Sequence, residues 1–304
     1  MRILREVAVQ GSFSAAAEAL AYTQSAVSQQ IAALEREVGT KLVERNARGI
    51  RLTDAGEALV RHTESVLANL AKAEAELEAI AGIRGGRVRL ASFQTAGSAI
   101  VPQAIATFRS RHPGVELSLI EAEPEEAIPA LRTGELDVAL VVEPNGITEE
   151  GASGLERADL LDDPMFLALP RDHELVKRAR VRLKDLAAEQ WINPPLTFAC
   201  SGFVTRACAA AGFEPHIAFE TDDYGAVQGL VAAGVGIALI PDLALATVRD
   251  DIVIRSLGSQ APVRHVAAVT LSGYRTPATE AMLGVLEETS ASYTAVRGEL
   301  VKAS

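Results

Sequence analysis

One stretch in the first third of the chain constrains the fold more than any other. Between Asp54 and Ala81 there is no proline, and the only glycine is Gly56. Apolar residues recur there every seven positions, and a second apolar series follows at an offset of four. The two series are Leu59, Val66, Ala73 and Ile80, and then Leu70 and Leu77. The pattern predicts a helix of about 25 residues, a rod of roughly 40 Å, with a coiled-coil seam for a second chain. A helix packed on its own domain is the alternative.

The long helix separates a short N-terminal head from a larger C-terminal part, and their charges differ. The whole chain of 304 residues has a net charge of −11. Residues 1–89 contain 12 Lys and Arg against 11 Asp and Glu, whereas residues 90–304 contain 17 against 29. Only the head could therefore meet a polyanion without general repulsion. This small excess does not by itself identify a nucleic-acid-binding protein.

The head has the sequence pattern of a helix-turn-helix. A first helix is expected near residues 2–10, and "GSFSAAAEAL" offers Ser12 as the N-cap of a second. After a short turn, "TQSAVSQQIAALEREVG" predicts a third helix, with Thr23 near its N-cap and Gly39 at its C-terminal end. Its apolar edge consists of Val27, Ile31, Leu34 and Val38.

The outer edge of this third helix carries hydroxyl and amide side chains. They are Thr23, Gln24, Ser25, Ser28 and Gln29. Such groups can donate and accept hydrogen bonds, and the N-terminal end of a recognition helix is the part that reaches base edges in the major groove. A solvated polar face is the alternative interpretation.

The next residues predict a β-hairpin rich in arginine. "LVERNARGIRLTDAGEAL", at 42–59, places Arg45, Arg48 and Arg51 around a glycine. Arginine forks bind phosphate oxygens and can also enter a minor groove. The hairpin is therefore interpreted as the wing of a winged helix-turn-helix, which favours DNA binding over a solvated polar face.

The stretch "SFSAAAEAL…TQSAVSQQIAALEREVGTKLVERNARGIRLTDAGEAL" resembles the LysR-type transcriptional regulators over about fifty residues without a gap. Val43 stands where the family commonly has Phe, and the chain begins a few residues short of the family's usual first helix. The resemblance implies a winged helix-turn-helix domain over 1–56. It also implies a dimerising linker helix over 57–86, ended by the hinge "GIRGG" (82–86). The DNA-binding residues that it implies are Ser12, Thr23, Gln24, Ser25, Ser28, Gln29, Arg36, Arg45, Arg48 and Thr53.

Beyond residue 86 strand-like and helical runs alternate. Strand-like runs at 87–92, 115–123 and 136–142 are separated by helical stretches at 98–111 and 125–133. This order predicts a parallel, doubly wound sheet. A second set of strand-like runs lies at 165–170, 190–193, 215–220 and 236–241, followed by a strand at 264–271 and a closing helix from 276 onward.

Two such α/β halves, joined by crossings near 162–166 and 264–268, resemble the periplasmic-binding-protein-like effector domain of the same family. "RHPGVELSLIEAE", "LRTGELDVALVV" and "LVAAGVGIALIP" carry this resemblance. The implied fold is an α/β multidomain chain with a two-lobed effector-binding domain at 87–304. Lobe I is expected at about 87–163 and 267–304, and lobe II at about 164–266.

An effector site is expected where open α/β sheets bind ligands, beyond the carboxyl ends of strands and between the two halves. The candidate residues are Ser92, Gln94 and Thr95 from the first half, with Cys200 and Thr221 from the second. A plain helix cap is the alternative role for Thr95. These neutral groups suit a small polar metabolite, and Asp222 with Asp223 disfavours several negative charges. An amino acid, or another compound with a carboxylate and a cationic group, fits better than a dicarboxylate.

Two other classes of protein are weighed against this interpretation. A solute receptor or sensor would fit residues 87–304 but leaves the head unexplained, and the N-terminus lacks the features of a secretory signal. The common hydrolase, zinc-protease and phosphate-loop motifs are missing from the sequence, and Cys200 with His216 lacks a third, orienting residue. Two cysteines and five scattered histidines predict neither a disulfide framework nor a metal site. We expect no catalytic residue and no cofactor.

The expected function is therefore a sequence-specific, DNA-binding transcriptional regulator whose activity a small effector modulates. The lack of a membrane-spanning apolar stretch, of secretory-signal features and of a disulfide framework in the sequence predicts a cytoplasmic protein. The resemblance implies a homodimer or homotetramer on an inverted repeat in double-stranded promoter DNA. It also implies contact with RNA polymerase, and no membrane partner is expected.

Overall fold

The computed structural model describes residues 2–46, 49–80, 86–143, 154–195, 201–273 and 275–303. Residues 1–74 form one compact unit and most of the remaining chain forms another. The predicted hinge at 82–86 lies outside the described residues except for Gly86. No helix in the described part of the chain is long and apolar enough to cross a membrane.

The first unit contains the predicted helix-turn-helix. Its three short helices are α1 (Arg2–Gln10), α2 (Phe13–Ala19) and α3 (Gln24–Val38). They share one apolar core, in which Leu4 and Val7 of α1 meet Val27 and Ile31 of α3. Ser12 caps α2 as predicted, because its Oγ accepts the N–H groups of Ser14 and Ala15.

The turn between α2 and α3 spans four residues. Ala21 has a φ of +55°, the left-handed region that favours glycine, and the N–H of Tyr22 donates back to the carbonyl of Ala17 at 2.8 Å. The Thr23 hydroxyl then accepts the N–H of Ala26, which confirms the predicted N-cap of α3. Gly39 ends the helix at φ +74°, also as predicted.

The buried edge of α3 differs from the prediction at one place. Val38 is 41 % exposed, whereas Glu35, only 8 % exposed, occupies the buried stripe below Val27 and Ile31. The apolar pattern could not reveal this, because the carboxylate is buried for its hydrogen bonds and not for its hydrophobicity.

The wing and the long helix follow in the predicted order. Strands β1 (Val43–Asn46) and β2 (Gly49–Leu52) form an antiparallel hairpin. Helix α4 covers Asp54–Ile80. Thr53 begins it, because its hydroxyl accepts the N–H of Gly56 and donates to the carbonyl of Lys41.

The second unit has two lobes built on sheets. The elements of lobe I are β3 (Arg87–Ser92), α5 (Gln94–Ala99), α6 (Val101–Arg111), β4 (Glu116–Glu121), α7 (Pro124–Arg132), β5 (Val138–Glu143), the first half of β6 (Leu155–Pro170), β11 (Val263–Leu271) and α10 (Pro277–Ala303). Those of lobe II are the second half of β6, β7 (Gln190–Asn193), α8 (Ser201–Ala210), β8 (His216–Glu220), α9 (Tyr224–Ala232), β9 (Ala238–Pro241) and β10 (Ile252–Arg255). Short 3-10 turns lie at Glu174–Lys177, Leu183–Leu186, Asp242–Thr247 and Gly258–Gln260.

Strand β5 illustrates why the sheet of lobe I is buried on both faces. Leu140 and Val142 belong to a core cluster with Phe108 of α6, whereas Ala139 and Val141 belong to a cluster with Leu131 of α7. Successive side chains of a strand point to opposite faces, so the continuous apolar run at 138–142 fills both.

The predicted all-parallel sheet is only partly right. Strands β4 and β5 pair with β3 in parallel, but β11 pairs antiparallel with β5 and with β6. Strand β6 also departs from the prediction, since it is sixteen residues long and serves both lobes. Its partner changes from β11 to β9 and β10 between Pro164 and Met165. The sequence pattern predicted only the apolar half of β6 and did not predict β10.

The helix predicted at 98–111 is in fact two helices. Helix α5 begins earlier, at Gln94, and ends at Ala99, and α6 begins at Val101. Pro102 accounts for the break, because proline has no N–H to donate to the preceding turn and is tolerated only near the start of a helix.

Candidate functional site

The N-terminal edge of α3 presents polar side chains outward. Thr23, Gln24, Ser25 and Gln29 are exposed, and Ser28 is half-buried. The Oγ atoms of Thr23 and Ser25 lie 3.1 Å apart, so the cap and the first turn form one hydrogen-bonding group. Because the buried stripe of Val27 and Ile31 fixes the rotation of the helix, this edge faces away from the core.

The wing is joined to α3 through one buried carboxylate. Glu35 Oε1 accepts the N–H of Leu42 at 2.9 Å and of Val43 at 3.3 Å, and Oε2 lies 2.7 Å from Lys41 Nζ. Burial raises the pKa of Glu35, but the Lys41 ammonium and the two N–H groups outweigh burial and hold it below its ordinary value. The recognition helix and the strand that starts the wing therefore have a fixed relative position.

The remaining residues of the predicted DNA contact set lie outside the first turn of α3. Ser12 and Thr53 serve as the N-caps of α2 and α4. Arg36 is exposed, and its Nε donates to the carbonyl of Ala32 at 3.2 Å. Arg48 and the side chain of Arg45 lie outside the described residues.

Helix α4 leaves part of its predicted seam uncovered in the single chain. Val66 is 65 % exposed, Leu70 57 % and Leu77 66 %. Three large apolar side chains on one helix at this spacing are costly to leave in water and are the pattern that a partner helix covers.

A cavity of about 260 Å³ lies between the lobes at the carboxyl ends of β3 and β4. Its lining consists of Phe93, Gln94, Thr95, Glu121, Ala122, Glu123 and Glu126 from lobe I, Pro194, Asp222, Asp223 and Tyr224 from lobe II, and Arg264 from β11. This is the place where open α/β sheets bind ligands.

Arg264 is the central polar residue of this cavity. Its side chain is fully buried and ion-paired with Asp163 of β6, which is fully buried too. Its Nη2 also donates to the Thr95 hydroxyl at 2.9 Å, and its guanidinium lies 5.6 Å from the centre of the Phe93 ring. Asp163 in turn accepts the N–H of Leu243 at 3.1 Å. The network ties the first strand–helix turn of lobe I to the strand that both lobes share.

The structure brings together some of the predicted effector residues and not others. Gln94 and Thr95 line the cavity. Ser92 does not, because it is buried beneath the turn and donates to the carbonyl of Phe93. Thr221 does not either, since its hydroxyl accepts the N–H of Asp223 and helps to form the turn before α9. Cys200 lies outside the described residues.

Arg264 and the acidic character of the wall were not predicted from the sequence. The arginine that begins the strand-like run "RHVAAVTL" was the available signal, because an arginine in a buried strand requires a buried partner. The lining is not composed mainly of neutral groups as expected, since five carboxylates contribute to it. Burial, Glu125 and Asp222 together raise the pKa of Glu123 above its ordinary value, although Arg264 opposes them.

Cys200 of the Cys200–His216 pair lies outside the described residues. Those residues contain no group of three or more His, Cys, Asp and Glu side chains that could hold a metal ion. Cys208 is buried in the core of lobe II, and burial raises the pKa of its thiol to about 11. Such a thiol carries almost no thiolate at neutral pH and is a poor nucleophile.

Comparison with known proteins identifies both parts of the chain. Residues 1–57 match the model of the bacterial regulatory helix-turn-helix proteins of the lysR family, and residues 81–291 match the LysR substrate-binding domain. The probable transcriptional regulator LrrA of Synechococcus elongatus is 31 % identical, with 95 % of this chain and 96 % of that protein covered. The regulator ShiR of Corynebacterium glutamicum is 35 % identical over 77 % of this chain and 78 % of its own.

Solved structures show the same fold. Full-length OxyR of Pseudomonas aeruginosa superposes with a TM-score of 0.64 at 23 % identity, over 95 % of this chain and 92 % of that one. CbnR in complex with its target DNA gives a TM-score of 0.58 at 24 % identity, with 95 % of this chain and 98 % of the CbnR chain covered. A winged helix-turn-helix head, a long linker helix and a two-lobed effector domain are thus present in one chain, and this chain belongs to the LysR family of transcriptional regulators.

Proposed function

We propose that this protein is a cytoplasmic regulator, and not an enzyme, that binds an inverted repeat in promoter DNA as a homodimer or homotetramer. Its activity changes when a small molecule occupies the cavity beside Arg264. One observation carries the proposal: a polar, outward-facing edge of α3, fixed to a wing by Glu35, precedes an effector-binding domain with a polar cavity.

Base reading is assigned to the exposed N-terminal edge of α3. Ser28 and Gln29 lie one turn into the helix, where side chains can reach base edges, while Thr23, Gln24 and Ser25 sit at its beginning. Ser12, Arg36 and Thr53, with Arg45 and Arg48 of the wing, are assigned to the DNA backbone. Phosphate contacts position a protein on DNA, and base contacts supply the specificity.

Assembly is assigned to the exposed seam of α4. A rod of 27 residues supports pairing of two heads, and two heads suit two half-sites of an inverted repeat. We place the head at 1–56, the linker at 57–86 and the effector domain at 87–304. A homotetramer of two such dimers, and contact between the regulator and RNA polymerase, complete the proposal.

Effector binding is assigned to the cavity, with Gln94 and Thr95 from lobe I. Arg264 takes the place of Ser92 and Thr221 among the effector residues expected from the sequence, and Cys200 remains a candidate. Strand β6 runs through both lobes and holds Asp163, the partner of Arg264. A ligand that contacts this network could therefore bias the relative position of the lobes, and a ligand shifts such an equilibrium only by its differential affinity for the two arrangements.

Fluorescence anisotropy tests the DNA-binding part, with the full chain and labelled DNA from upstream of its own gene. We expect Ser28→Ala or Gln29→Ala to lose about 1–3 kcal/mol of discrimination between operator and unrelated DNA. Arg48→Ala should weaken binding to both DNAs and flatten the salt dependence. Gln10→Ala is the matched control, because Gln10 is exposed and its side chain donates to Glu6 on its own helix. Unchanged discrimination in both α3 variants would remove these residues from the base-reading role.

A further inference from the structure

We propose that the effector is a compact organic cation, a molecule with at least one ammonium or guanidinium group that binds between the carboxylates of the two lobes. The inference rests on the proposed effector role of the cavity and adds the chemical class of the ligand. A basic amino acid and a small diamine share this chemistry, and the test separates them.

The charge of the cavity wall is the first argument. Glu121, Glu123 and Glu126 line it from lobe I, and Asp222 and Asp223 line it from lobe II. Arg264 is the single basic residue among the described lining residues, and Asp163 already neutralises it. An anionic ligand would enter a site that is negative on both sides, whereas a cation is attracted to both.

Not every carboxylate is equally available for a ligand. Asp223 Oδ1 accepts the N–H groups of Gly225 and Ala226 and so caps α9, and Glu126 belongs to the first turn of α7. Glu123 and Asp222 are the pair that matters most, because they line the cavity from different lobes and the charge of Asp222 is one of the causes that raise the pKa of Glu123. Burial and the charges of Glu125 and Asp222 raise the pKa of Glu123 although Arg264 opposes them, so a further cation beside Glu123 would stabilise its charged form.

Electrostatic repulsion between the carboxylates of the two lobes gives the bound cation a role in closing the lobes. Like charges that face each other across the cavity oppose closure of the lobes, and a cation between them reverses the sign of the interaction. Binding of the effector would therefore draw the lobe I turn at Glu123 toward the lobe II turn at Asp222. A neutral molecule of the same shape would leave the repulsion in place.

The spread of the carboxylates and the size of the cavity favour an organic cation over a metal ion. No group of three or more candidate metal ligands converges in the described part of the chain. The cavity, about 260 Å³, is smaller than the roughly 300–1,000 Å³ of drug-sized sites. Phe93 and Tyr224 provide apolar surface for the carbon skeleton of such a ligand.

Isothermal titration calorimetry on the full chain tests the charge of the ligand. The cations are arginine, lysine and putrescine, the neutral isosteres are citrulline and norleucine, and the anions are glutamate and succinate. We expect a cation to bind at least about tenfold more tightly than its neutral isostere, as loss of a charged hydrogen bond predicts. Binding of putrescine would identify a diamine site, and binding of the amino acids alone would identify a basic amino acid.

Glu123→Gln and Asp222→Asn should each weaken binding of the cation, whereas Glu116→Gln, on the same strand as Glu121 but outside the cavity, should not.

A second measurement needs no ligand. The double variant Glu123→Gln with Asp222→Asn should melt at a higher temperature than the ligand-free wild type, because the substitutions remove the repulsion. An unchanged or lower melting temperature would overturn the inference, as would a panel in which no cation binds. Tighter binding of an anion or a neutral compound, abolished by Thr95→Val, would overturn the cationic class while the cavity kept its effector role.

Discussion

Glu35 of the recognition helix accepts the backbone N–H of Leu42, the residue that leads into the wing, at 2.9 Å. Both residues are buried, and the same carboxylate also bonds Val43 and Lys41. A single side chain thus positions the wing against the helix that we assign to base reading. Lys41, Leu42 and Val43 all bond this carboxylate, and a search for apolar periodicity would not place a glutamate in the buried stripe of the helix.

Replacing Glu35 by alanine should therefore loosen the wing. The N–H groups of Leu42 and Val43 would lose their acceptor, and an unsatisfied buried donor costs about 1–3 kcal/mol. We expect lower stability of the head, faster amide exchange in the wing and weaker binding to all DNA. Hydrogen exchange with mass spectrometry measures the first two effects. Glu37→Ala on exposed α3 surface is the control, and equal protection in both variants would contradict the assignment.

The same residue predicts a pH dependence. The pKa of Glu35 in the folded protein lies below its ordinary value of 4.5, so the unfolded chain binds the proton more tightly. Its stabilising contribution is complete above about 4.5 and is lost as pH falls through the folded-state pKa. In urea titrations the free energy of unfolding of wild type should exceed that of Glu35→Gln at neutral pH, and the gap should narrow in acid. A gap that is constant with pH would contradict this linkage.

Charges in the α4 seam should separate the chains. Leu70→Glu combined with Leu77→Glu would place carboxylates where we expect the partner helix, and burial of unpaired charge is strongly unfavourable. We expect light scattering to report a smaller species and operator binding to be lost with it. Arg61→Glu, an exposed position of the same helix outside both apolar series, should keep the oligomer. An unchanged mass for the double variant would place the seam elsewhere.

Removing the Thr95 hydroxyl should destabilise the effector domain even without a ligand. Thr95→Val keeps the shape of the side chain but deprives Arg264 Nη2 of a buried acceptor 2.9 Å away. The cost should be about 1–3 kcal/mol. That corresponds to a fall in melting temperature of roughly 2–4 °C for each kcal/mol in a domain of this size. Thr95→Ser, which keeps the hydroxyl, should lose less, and equal losses in the two variants would show that the hydrogen bond contributes little.

Cys208 should resist thiol reagents in the folded protein. Its thiol is buried among apolar side chains of lobe II, and its pKa of about 11 leaves almost no thiolate at pH 8. Iodoacetamide should modify Cys208 only after unfolding, as peptide mass spectrometry would reveal. Rapid modification of the native protein at this position would show that lobe II opens.

The sequence by itself determined the local structure of the head. Ser12, Thr23 and Gly39 act within one turn of their own helices, so their residue types were enough to place the beginning of α2 and both ends of α3. The seven-residue repeat likewise predicted α4, because helical periodicity is a property of neighbouring positions. The family resemblance added the two-lobed plan of the second unit.

Only the tertiary structure decided the wall of the cavity. Arg264 reaches Asp163 across 101 positions of sequence, because β11 lies beside β6 in one sheet, and it reaches Thr95 across 169 positions. No local pattern encodes that strand pairing. In the folded chain the cavity is lined by one buried ion pair and by carboxylates from two lobes, where the sequence predicted neutral groups. The burial of Glu35 was likewise decided by the tertiary structure, because it depends on the backbone of Leu42 and Val43 folding back against α3 after Gly39. Caps and periodicities act between neighbours and can be derived from the sequence, whereas the electrostatics of a site depend on which distant strands pair.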